Sequence, residues 1–200
     1  MRLWSYKISR DYGFAPNPFF GFCTVACCKP RMRRGADVGD LIVGCGSKKL
    51  DLVGRVVFAM RVAEKLTFQQ YWDDARFFRK RPVFTAGKAR AFGDNIYHKD
   101  PGGTWLQEDS HHSLPGGGWN AMNATRDLGA DAVLIGTEFV YWGSLAPLIP
   151  QKLRDCDGDD LYPNVRDLRN HYSDVVKATA LAWFNDSPKG RLGRPVNWSK

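Results

Sequence analysis

The stretch that decides the fold reads Val53-Gly-Arg-Val-Val-Phe-Ala-Met-Arg-Val-Ala-Glu-Lys-Leu66. It is rich in β-branched residues and predicts one long strand. The apolar run before it, Leu41-Ile-Val-Gly-Cys45, follows Gly39-Asp40 and predicts another strand. Together these two segments indicate that the first half of the chain is built around a β-sheet.

Residues 2–8 and 22–28 predict two earlier strands, and residues 164–184 predict the one long helix. Thr67 is a suitable N-cap for a shorter helix over about 68–78. Strands first and a long helix last favour an α+β fold over a doubly wound sheet. We therefore expect a small mixed or antiparallel β-barrel with peripheral helices.

The chain has 200 residues, which fits one domain with an appendage. We expect a domain over residues 1–150, with a C-terminal helix and extended tail over 151–200 packed on it. No apolar run reaches the roughly 18 residues that span a bilayer. We expect no secretory signal, because no apolar h-region follows the first six residues. Five cysteines, an odd number, favour reduced thiols over a disulfide framework. A cytoplasmic protein without membrane contact is the expectation.

The net charge of +8 is unevenly distributed along the sequence. Residues 1–90 hold 18 Lys/Arg and 7 Asp/Glu, whereas residues 91–200 hold 11 and 14. A basic half is typical of proteins that contact a polyanion, so the partner we expect is a nucleic acid or a nucleotide. A basic surface that is merely solvated is the alternative.

The first binding candidate is the loop over residues 11–21, which two prolines and two glycines keep from being helical. Prolines would hold its rings ready to stack on a base. Equally, the rings could plug one end of a barrel. The candidate binding residues of this loop are Tyr12, Phe14, Asn17 and Phe19.

The second candidate is a basic turn with four cations in six residues, suited to holding phosphates unless it is only a solvated turn. These cations are Lys29, Arg31, Arg33 and Arg34. A weaker third candidate is Gly44-Cys-Gly-Ser-Lys48, where Ser47 and Lys48 could meet an anion, although a structural turn is favoured. It lacks the spacing of a Walker A loop.

A fourth candidate combines two polar segments, Gly93-Asp-Asn-Ile-Tyr-His98 and Glu108-Asp-Ser-His-His112. Asp94, Asn95, His111 or His112 would read the polar edges of a base, and Tyr97 is a further candidate binding residue. Asp109, His111 and His112, with Lys29, would supply general acid–base groups. A structural hydrogen-bond role competes with binding, and a metal site is disfavoured. No glycine-rich nucleotide fingerprint, zinc spacing or calcium loop is complete, so neither a cofactor nor a metal is expected.

Several of these blocks, from Asp11-Tyr-Gly-Phe-Ala-Pro-Asn-Pro-Phe19 to His112, resemble the second type of nucleotide-modification-associated domain. The resemblance covers about residues 1–150. It implies a setting in DNA base hypermodification, often in phages and bacteria, and no defined activity. A looser likeness to PUA-like domains, including EVE and ASCH domains, implies a small barrel with a pocket for a modified base.

Three functions follow from these features. The first is a binding module that holds a modified base, nucleotide or modified DNA in a basic, aromatic-lined pocket. The second is an enzyme, a hydrolase or transferase, that acts on a modified base. Its groups would be the His/Asp set or, as the ASCH likeness implies, a Lys/Thr/Glu set of Lys29, Thr24 and Glu64. The third is a protein-interaction subunit that presents the 164–184 helix.

Overall fold

The computed structural model describes residues 1–165 and 167–199. Eleven strands follow one another in that part of the chain: β1 (Leu3–Ile8), β2 (Cys23–Val25), β3 (Leu41–Gly46), β4 (Val56–Arg61), β5 (Glu64–Leu66), β6 (Tyr97–Lys99), β7 (Trp105–Gln107), β8 (Val133–Gly136), β9 (Phe139–Tyr141), β10 (Leu168–Arg169) and β11 (Gly190–Arg191). The same residues form five α-helices: α1 (Pro30–Gly35), α2 (Phe68–Asp73), α3 (Lys88–Ala91), α4 (Ala121–Leu128) and α5 (Asp174–Asp186). Single 3₁₀ turns occupy Lys48–Leu50, Ala75–Lys80, Phe84–Ala86, Gly143–Leu145, Gln151–Leu153 and Val196–Ser199.

The chain divides into two compact units. Unit 1 comprises residues 1–12, 36–63 and 136–200, and unit 2 comprises residues 13–35 and 64–135. Each unit has its own hydrophobic core. Sequence neighbours therefore belong to different units at several points along the chain.

Unit 1 is built on a six-stranded sheet in the order β10-β1-β3-β4-β9-β11. β1 and β3 run parallel, whereas β4 is antiparallel to both β3 and β9. All six residues of β3 are buried, as the apolar run in the sequence predicts. A Cβ on Gly44 would stand 2.3 Å from the ring of Phe58, directly opposite on β4. Glycine at this position lets that ring pack on the backbone of the central strand.

The Gly-Asp pair before β3 has a structural role. The buried carboxylate of Asp40 accepts hydrogen bonds from Arg2 N at 2.6 Å, Trp4 Nε1 at 3.0 Å and Asp37 N at 3.1 Å. It therefore fixes the start of β1 beside the start of β3.

The helix predicted over 164–184 is shorter and later in the structure. α5 begins after Ser173, whose hydroxyl accepts a hydrogen bond from Val176 N, and it packs Val176 and Phe184 into the core of unit 1. Before it, Leu168–Arg169 pair with β1 as β10 instead of forming helix. Residue 166, within the predicted range, lies outside the described residues. Strand pairing overrode a helical pattern whose true start is the cap at Ser173.

Unit 2 contains a three-stranded sheet, β2-β8-β5, and the hairpin of β6 and β7. The N-cap predicted at Thr67 is confirmed: its hydroxyl accepts from Gln70 N, and the Gln70 side chain accepts from Thr67 N. The predicted helix over 68–78 divides at Asp74, which has extended backbone and caps the following 3₁₀ turn through Arg76 N. The hairpin turn at Asp100 is closed by a hydrogen bond from Asp100 N to Thr104 O.

The α+β class is confirmed, whereas the strands of the described residues form open sheets with no closed barrel. The predicted strand over 53–66 is two strands, β4 and β5, which belong to different sheets. Likewise β2 pairs with β8, which is more than 100 residues away in the chain. The expected barrel required consecutive strands to be neighbours, and this chain interleaves two units instead.

No helix in the described part of the chain combines the length and the apolar character needed to cross a membrane. The basic half of the sequence is also divided by the fold. Unit 2 contains 13 Lys/Arg and 9 Asp/Glu, a net charge of +4, so half of the total charge lies in the remainder of the chain.

Candidate active site

A strained turn in unit 2 carries Cys28 between β2 and α1. Cys28 and Lys29 have backbone φ of 60° and 43°, a left-handed conformation that is unfavourable for residues other than glycine. Pro30 then opens α1, where its fixed φ suits the first helical position. Cys28 is half-buried, whereas its neighbour Cys27 is fully buried. The turn thus separates two adjacent thiols, one reachable and one in the core.

Three side chains contact one another in series at this turn. Cys28 Sγ lies 3.9 Å from His112 Nε2, and His112 Nδ1 lies 2.6 Å from Asp127 Oδ2. Cys28 N also donates to Asp127 Oδ1 at 2.8 Å. Thiol, imidazole and carboxylate therefore stand in the order of a nucleophile, its base and the group that orients the base.

α4 supplies the carboxylate and also fixes the histidine. Asn120 caps α4 by accepting from Asn123 N at 3.1 Å. Asn123 Nδ2 donates to the backbone oxygen of His112 at 2.9 Å, and Gln107 Nε2 donates to the same oxygen at 3.2 Å. His112 is thus fixed in two ways, through the hydrogen bonds to its backbone oxygen and through the contact of its ring with Asp127.

The electrostatics favour an ion pair between His112 and Asp127. Burial disfavours the charged imidazole, but the hydrogen bonds to Asp127 and Cys28 and the charge of Asp127 outweigh it and raise the pKa of His112 to about 9. Burial acts to raise the pKa of Asp127, yet the hydrogen bond and charge of His112, with the charge of Arg126, hold it below its usual value. At neutral pH the thiol of Cys28 therefore faces an imidazolium.

Arg33, expected to hold phosphate, is instead a buried scaffold for this turn. Its guanidinium donates to the backbone oxygens of Cys28 at 2.8 Å, of Ala130 and Ala132 at 2.6 Å each, and of Asp127. Its exposed fraction is 0%, and burial lowers its pKa. Arg33 therefore joins the Cys28 turn to the end of α4 and has no accessible face for a ligand.

Aromatic rings surround the histidine. Phe14, itself buried, lies 4.5 Å from the His112 ring and 5.4 Å from the exposed His111 ring, measured between centroids. Phe92 lies 5.4 Å from His111. These contacts make a partly apolar wall around the imidazole.

Unit 2 also contains a groove of about 660 Å³, whose lining includes none of Cys28, His112 and Asp127. Its walls include Trp105, Leu106 and Trp119, with Gln107 and Leu128. Gln107 bonds to the His112 backbone, and Leu128 is next to Asp127 in sequence. The volume is in the range of small-ligand pockets, and the walls are aromatic.

One group of described residues offers three possible metal ligands: Cys27, His112 and Asp127, with ligand atoms within 4.8 Å of one another. Two of these groups already pair with each other, because His112 Nδ1 lies 2.6 Å from Asp127 Oδ2. Burial raises the pKa of the Cys27 thiol well above its usual value. The guanidinium of Arg126 also donates to Asp127 at 3.2 Å.

A second polar network of unit 2 holds three residues predicted to bind a base. Asp94 accepts from Thr24 Oγ1 at 2.6 Å and from Tyr71 OH at 2.8 Å. Lys80 Nζ donates to Asn17 O and Oδ1 at 2.8 Å and to Thr24 Oγ1 at 3.0 Å. Asn95 Nδ2 donates to Tyr71 O at 3.0 Å.

Every member of this second network is at most 1% exposed. Burial lowers the pKa of Lys80 to about 8 and raises that of Asp94. Asn17, Asp94 and Asn95 are therefore closed off from any base in this structure. Two residues of the Lys/Thr/Glu alternative are also engaged. Thr24 is buried in this network, and the carboxylate of Glu64 accepts hydrogen bonds from the guanidinium of Arg76 at 2.7 and 2.8 Å.

The remaining predicted residues are scattered. Lys29 is half-buried beside Cys28, Arg31 and Arg34 are exposed on α1, and Arg34 donates to Gly129 O. Asp109 accepts from Ser113 Oγ at 2.8 Å. Phe19 is buried. Tyr97 is also buried, and its hydroxyl donates to Asp127 at 3.2 Å. It therefore helps to hold the carboxylate that contacts His112.

Three predicted binding residues belong to unit 1. Tyr12 O accepts from Trp198 Nε1 at 2.8 Å. Ser47 is buried and its backbone oxygen closes the turn at Leu50 and Leu52, which agrees with the structural alternative, and Lys48 is exposed beside it.

Sequence reasoning missed Cys28 and Asp127. Cys23, Cys27, Cys45 and Cys156 are buried, whereas Cys28 is only half-buried. A cysteine directly before Lys-Pro at a strand-to-helix turn was an available signal, together with a histidine and an aspartate elsewhere in the chain. Nothing in the local sequence singles out Asp127 as the partner.

The matched family fits the nucleotide setting that the sequence suggested. The model of the family "Nucleotide modification associated domain 2" matches residues 1–200, and the chain belongs to this family. No curated protein and no solved structure matches the chain. The description of the family associates the chain with nucleotide modification.

Proposed function

We propose that unit 2 is a thiol enzyme of nucleotide modification, which transfers or hydrolyses an acyl-type group on a modified nucleobase or nucleotide. The observation that carries the proposal is the series of contacts Cys28 Sγ–His112 Nε2 and His112 Nδ1–Asp127 Oδ2. A thiolate beside an imidazolium is the reactive state of catalytic cysteines. The description of the family supports a nucleotide or nucleic acid as the substrate class.

In the proposed reaction the Cys28 thiolate attacks the carbonyl carbon of the acyl group and forms a thioester. The bond from that carbon to the nitrogen or oxygen of the nucleotide breaks, and His112 gives its proton to the leaving group. Water, or an acceptor amine, then attacks the thioester while neutral His112 takes the proton. Cys28 and His112 return to their starting ionic state, and no oxidant or cofactor is consumed.

Binding of the modified base is the first step of this function. The groove formed by Trp105, Leu106 and Trp119 offers planar apolar walls for a base. Trp119 and Leu106 are 44% and 41% exposed, so these walls are reachable from solvent. Base stacking on an aromatic side chain contributes about 1–3 kcal/mol. Arg31 and Arg34 remain exposed near the turn and would meet phosphate.

A binding module without chemistry is the second candidate. The size and aromatic walls of the groove favour it, because they would serve a reader of modified bases equally well. A reader would hold the base and leave Cys28 unmodified.

The test uses N4-acetylcytidine and N6-acetyladenosine as probes. We expect the intact mass of the protein to rise by one acetyl group during turnover, and free acetate to accumulate. Cys28→Ser should abolish both signals. Cys156→Ser, a change at a buried thiol of unit 1, is the matched control and should leave them unchanged.

Turnover that persists at the wild-type rate in Cys28→Ser would refute covalent catalysis at this thiol. Tight binding of a modified nucleoside with neither adduct nor product, across acetyl, carbamoyl and aminoacyl substituents, would identify the protein as a reader.

A further inference from the structure

A ladder of planar side chains lies on another face of unit 2. Trp72 stacks on His98 with ring centroids 3.9 Å apart and an interplanar angle of 11°. The guanidinium carbon of Arg81 lies 3.6 Å from the centre of the Trp72 ring and 5.1 Å from that of Phe78. Phe78, at the end of the ladder, is 56% exposed. The stack therefore ends in an aromatic ring that is open to solvent.

The surrounding segment is basic throughout. Residues 75–93 contain six Lys/Arg and no Asp/Glu. Arg76 pairs with Glu64 and Asp74, Lys80 is buried, and Arg81 donates to Trp72 O at 2.6 Å. Arg79 and Lys88 are exposed, and Arg81 and Arg90 are half-buried.

A second exposed ring belongs to the same segment. Phe84 is 56% exposed in the 3₁₀ turn Phe84–Ala86. Arg79 lies with its guanidinium carbon 4.3 Å from the ring centre of Phe20. Exposed rings separated by cations are what a flexible strand of nucleotides requires, because every base has a face for stacking and every linkage has a negative charge.

We infer that this face, formed by Phe78, Arg79, Arg81, Phe84, Lys88 and Arg90, binds single-stranded nucleic acid. Bases stack on Phe78 and Phe84, and phosphates meet the cations between them. One part of the inference, that the Cys28 site acts on a polynucleotide, rests on the proposed function. The binding itself does not depend on catalysis.

The segment that carries this face leads along the chain to the aromatic rings around His112. Phe92 ends the basic segment, and its ring centroid lies 5.4 Å from that of His111. The His111 ring in turn lies 5.8 Å from the ring of His112. A strand held along residues 78–90 would therefore lead a nucleotide towards His112 and Cys28.

The experiment measures fluorescence anisotropy of the full chain with a fluorescein-labelled 15-nucleotide single strand of mixed sequence, over a range of salt concentrations. Phe78→Ala and Phe84→Ala should each weaken binding by about 5- to 100-fold, which corresponds to the loss of one stacked base. Arg79→Ser with Lys88→Ser should lower the slope of log affinity against log salt by about 1.4, because two phosphate contacts are lost.

The matched control is Lys49→Ser with Lys152→Ser, two exposed lysines of unit 1. It should leave both affinity and salt slope close to wild type. The inference is overturned by a wild-type affinity that does not change with salt, by an equal loss in the control, or by a duplex of the same sequence that competes equally well. Binding to phosphatidylserine vesicles that is lost in the same variants, without strand binding, would overturn it in favour of a membrane.

Cys28→Ser separates this inference from the proposed function. The variant should bind the strand as wild type does. Strand binding with no acyl chemistry would contradict the proposed function alone, whereas acyl chemistry on free nucleosides with no strand binding would contradict the inference alone.

Discussion

Two buried carboxylates of unit 2, Asp94 and Asp127, lie in networks made of similar groups. Asp94 belongs to a closed network with Thr24, Tyr71 and Lys80, and every one of these residues is 0% exposed. Asp127 belongs to an open network that passes through His112 to the half-buried Cys28. One network ends inside the core, and the other ends at a thiol that a reagent can reach.

The exposure of the terminal group of a network, and not the composition of the network, therefore separates a structural polar cluster from a candidate active site. In the closed network Lys80 donates to Asn17, Phe22 and Thr24 and has no donor left for a ligand. In the open network Cys28 is the terminal group, and its sulfur has only His112 as a hydrogen-bond partner among the described side chains.

The largest expected effect lies at the end of the open network. Cys28→Ala should reduce turnover of acylated nucleosides by about 10⁴-fold or more, since removal of a nucleophile removes the covalent route. Its thermal unfolding should stay within about 1 kcal/mol of wild type, because the side chain is half-buried. Product analysis and calorimetry on the same sample measure both. A variant that turns over normally would place the chemistry elsewhere.

The closed network should give the largest loss of stability. Lys80→Met removes the cation from a fully buried cluster, leaving Asp94 without its positive neighbour, and should lower the free energy of unfolding by about 3–5 kcal/mol. Lys49→Met, at an exposed position, should change it by no more than about 0.5 kcal/mol. Urea denaturation measures both. A Lys80→Met protein as stable as wild type would show that the closed network is not structural.

The two networks should respond to pH in opposite directions. The folded pKa of His112, about 9, is above its unfolded value of about 6.5, so its contribution is complete below pH 6.5 and is lost as pH rises to 9. The folded pKa of Lys80, about 8, is below its unfolded value, so stability increases as pH rises from 8 towards 10.4.

Melting temperatures of wild type, His112→Gln and Lys80→Met from pH 6 to pH 10 measure the two contributions. The fall between pH 6.5 and 9 should disappear in His112→Gln, and the rise above pH 8 should disappear in Lys80→Met. Parallel profiles in all three proteins would contradict both assignments.

Two matched tyrosines should give the smallest effects. Tyr71→Phe removes a hydrogen bond to Asp94 and should lower stability by about 1–2 kcal/mol. Tyr97→Phe removes a longer hydrogen bond to Asp127, whose charge His112 and Arg126 still balance, so a smaller loss of stability is expected. Tyr97→Phe should also slow turnover, which Tyr71→Phe should not. Equal effects of the two substitutions on turnover would remove the distinction between the networks.

Local signals in the sequence predicted local structure. The apolar run became the buried β3, and the Thr67 cap begins α2. Pairing between distant segments was not predictable in this way. β2 joins β8, and the run over 53–66 divides between two sheets, because hydrophobic periodicity defines a face and not a partner.

The candidate site was predicted in part for the same reason. His112 and Asp109 lay in a polar segment that stood out, whereas Cys28 was hidden in an apolar run and Asp127 is 99 residues away from it. Asp94 and Asn95 stood out equally and became buried. Residue type identifies groups capable of chemistry, and only the packing around them decides which stay accessible.

The most direct test of the account is the alkylation rate of each cysteine by iodoacetamide at pH 7, measured by peptide mass spectrometry in wild type and in His112→Gln. We expect Cys28 to react first of the five cysteines, and at least tenfold faster in wild type than in His112→Gln, because its sulfur lies 3.9 Å from the ring of His112. Equal rates at Cys28 in the two proteins, or faster labelling of a buried cysteine such as Cys27, would contradict it.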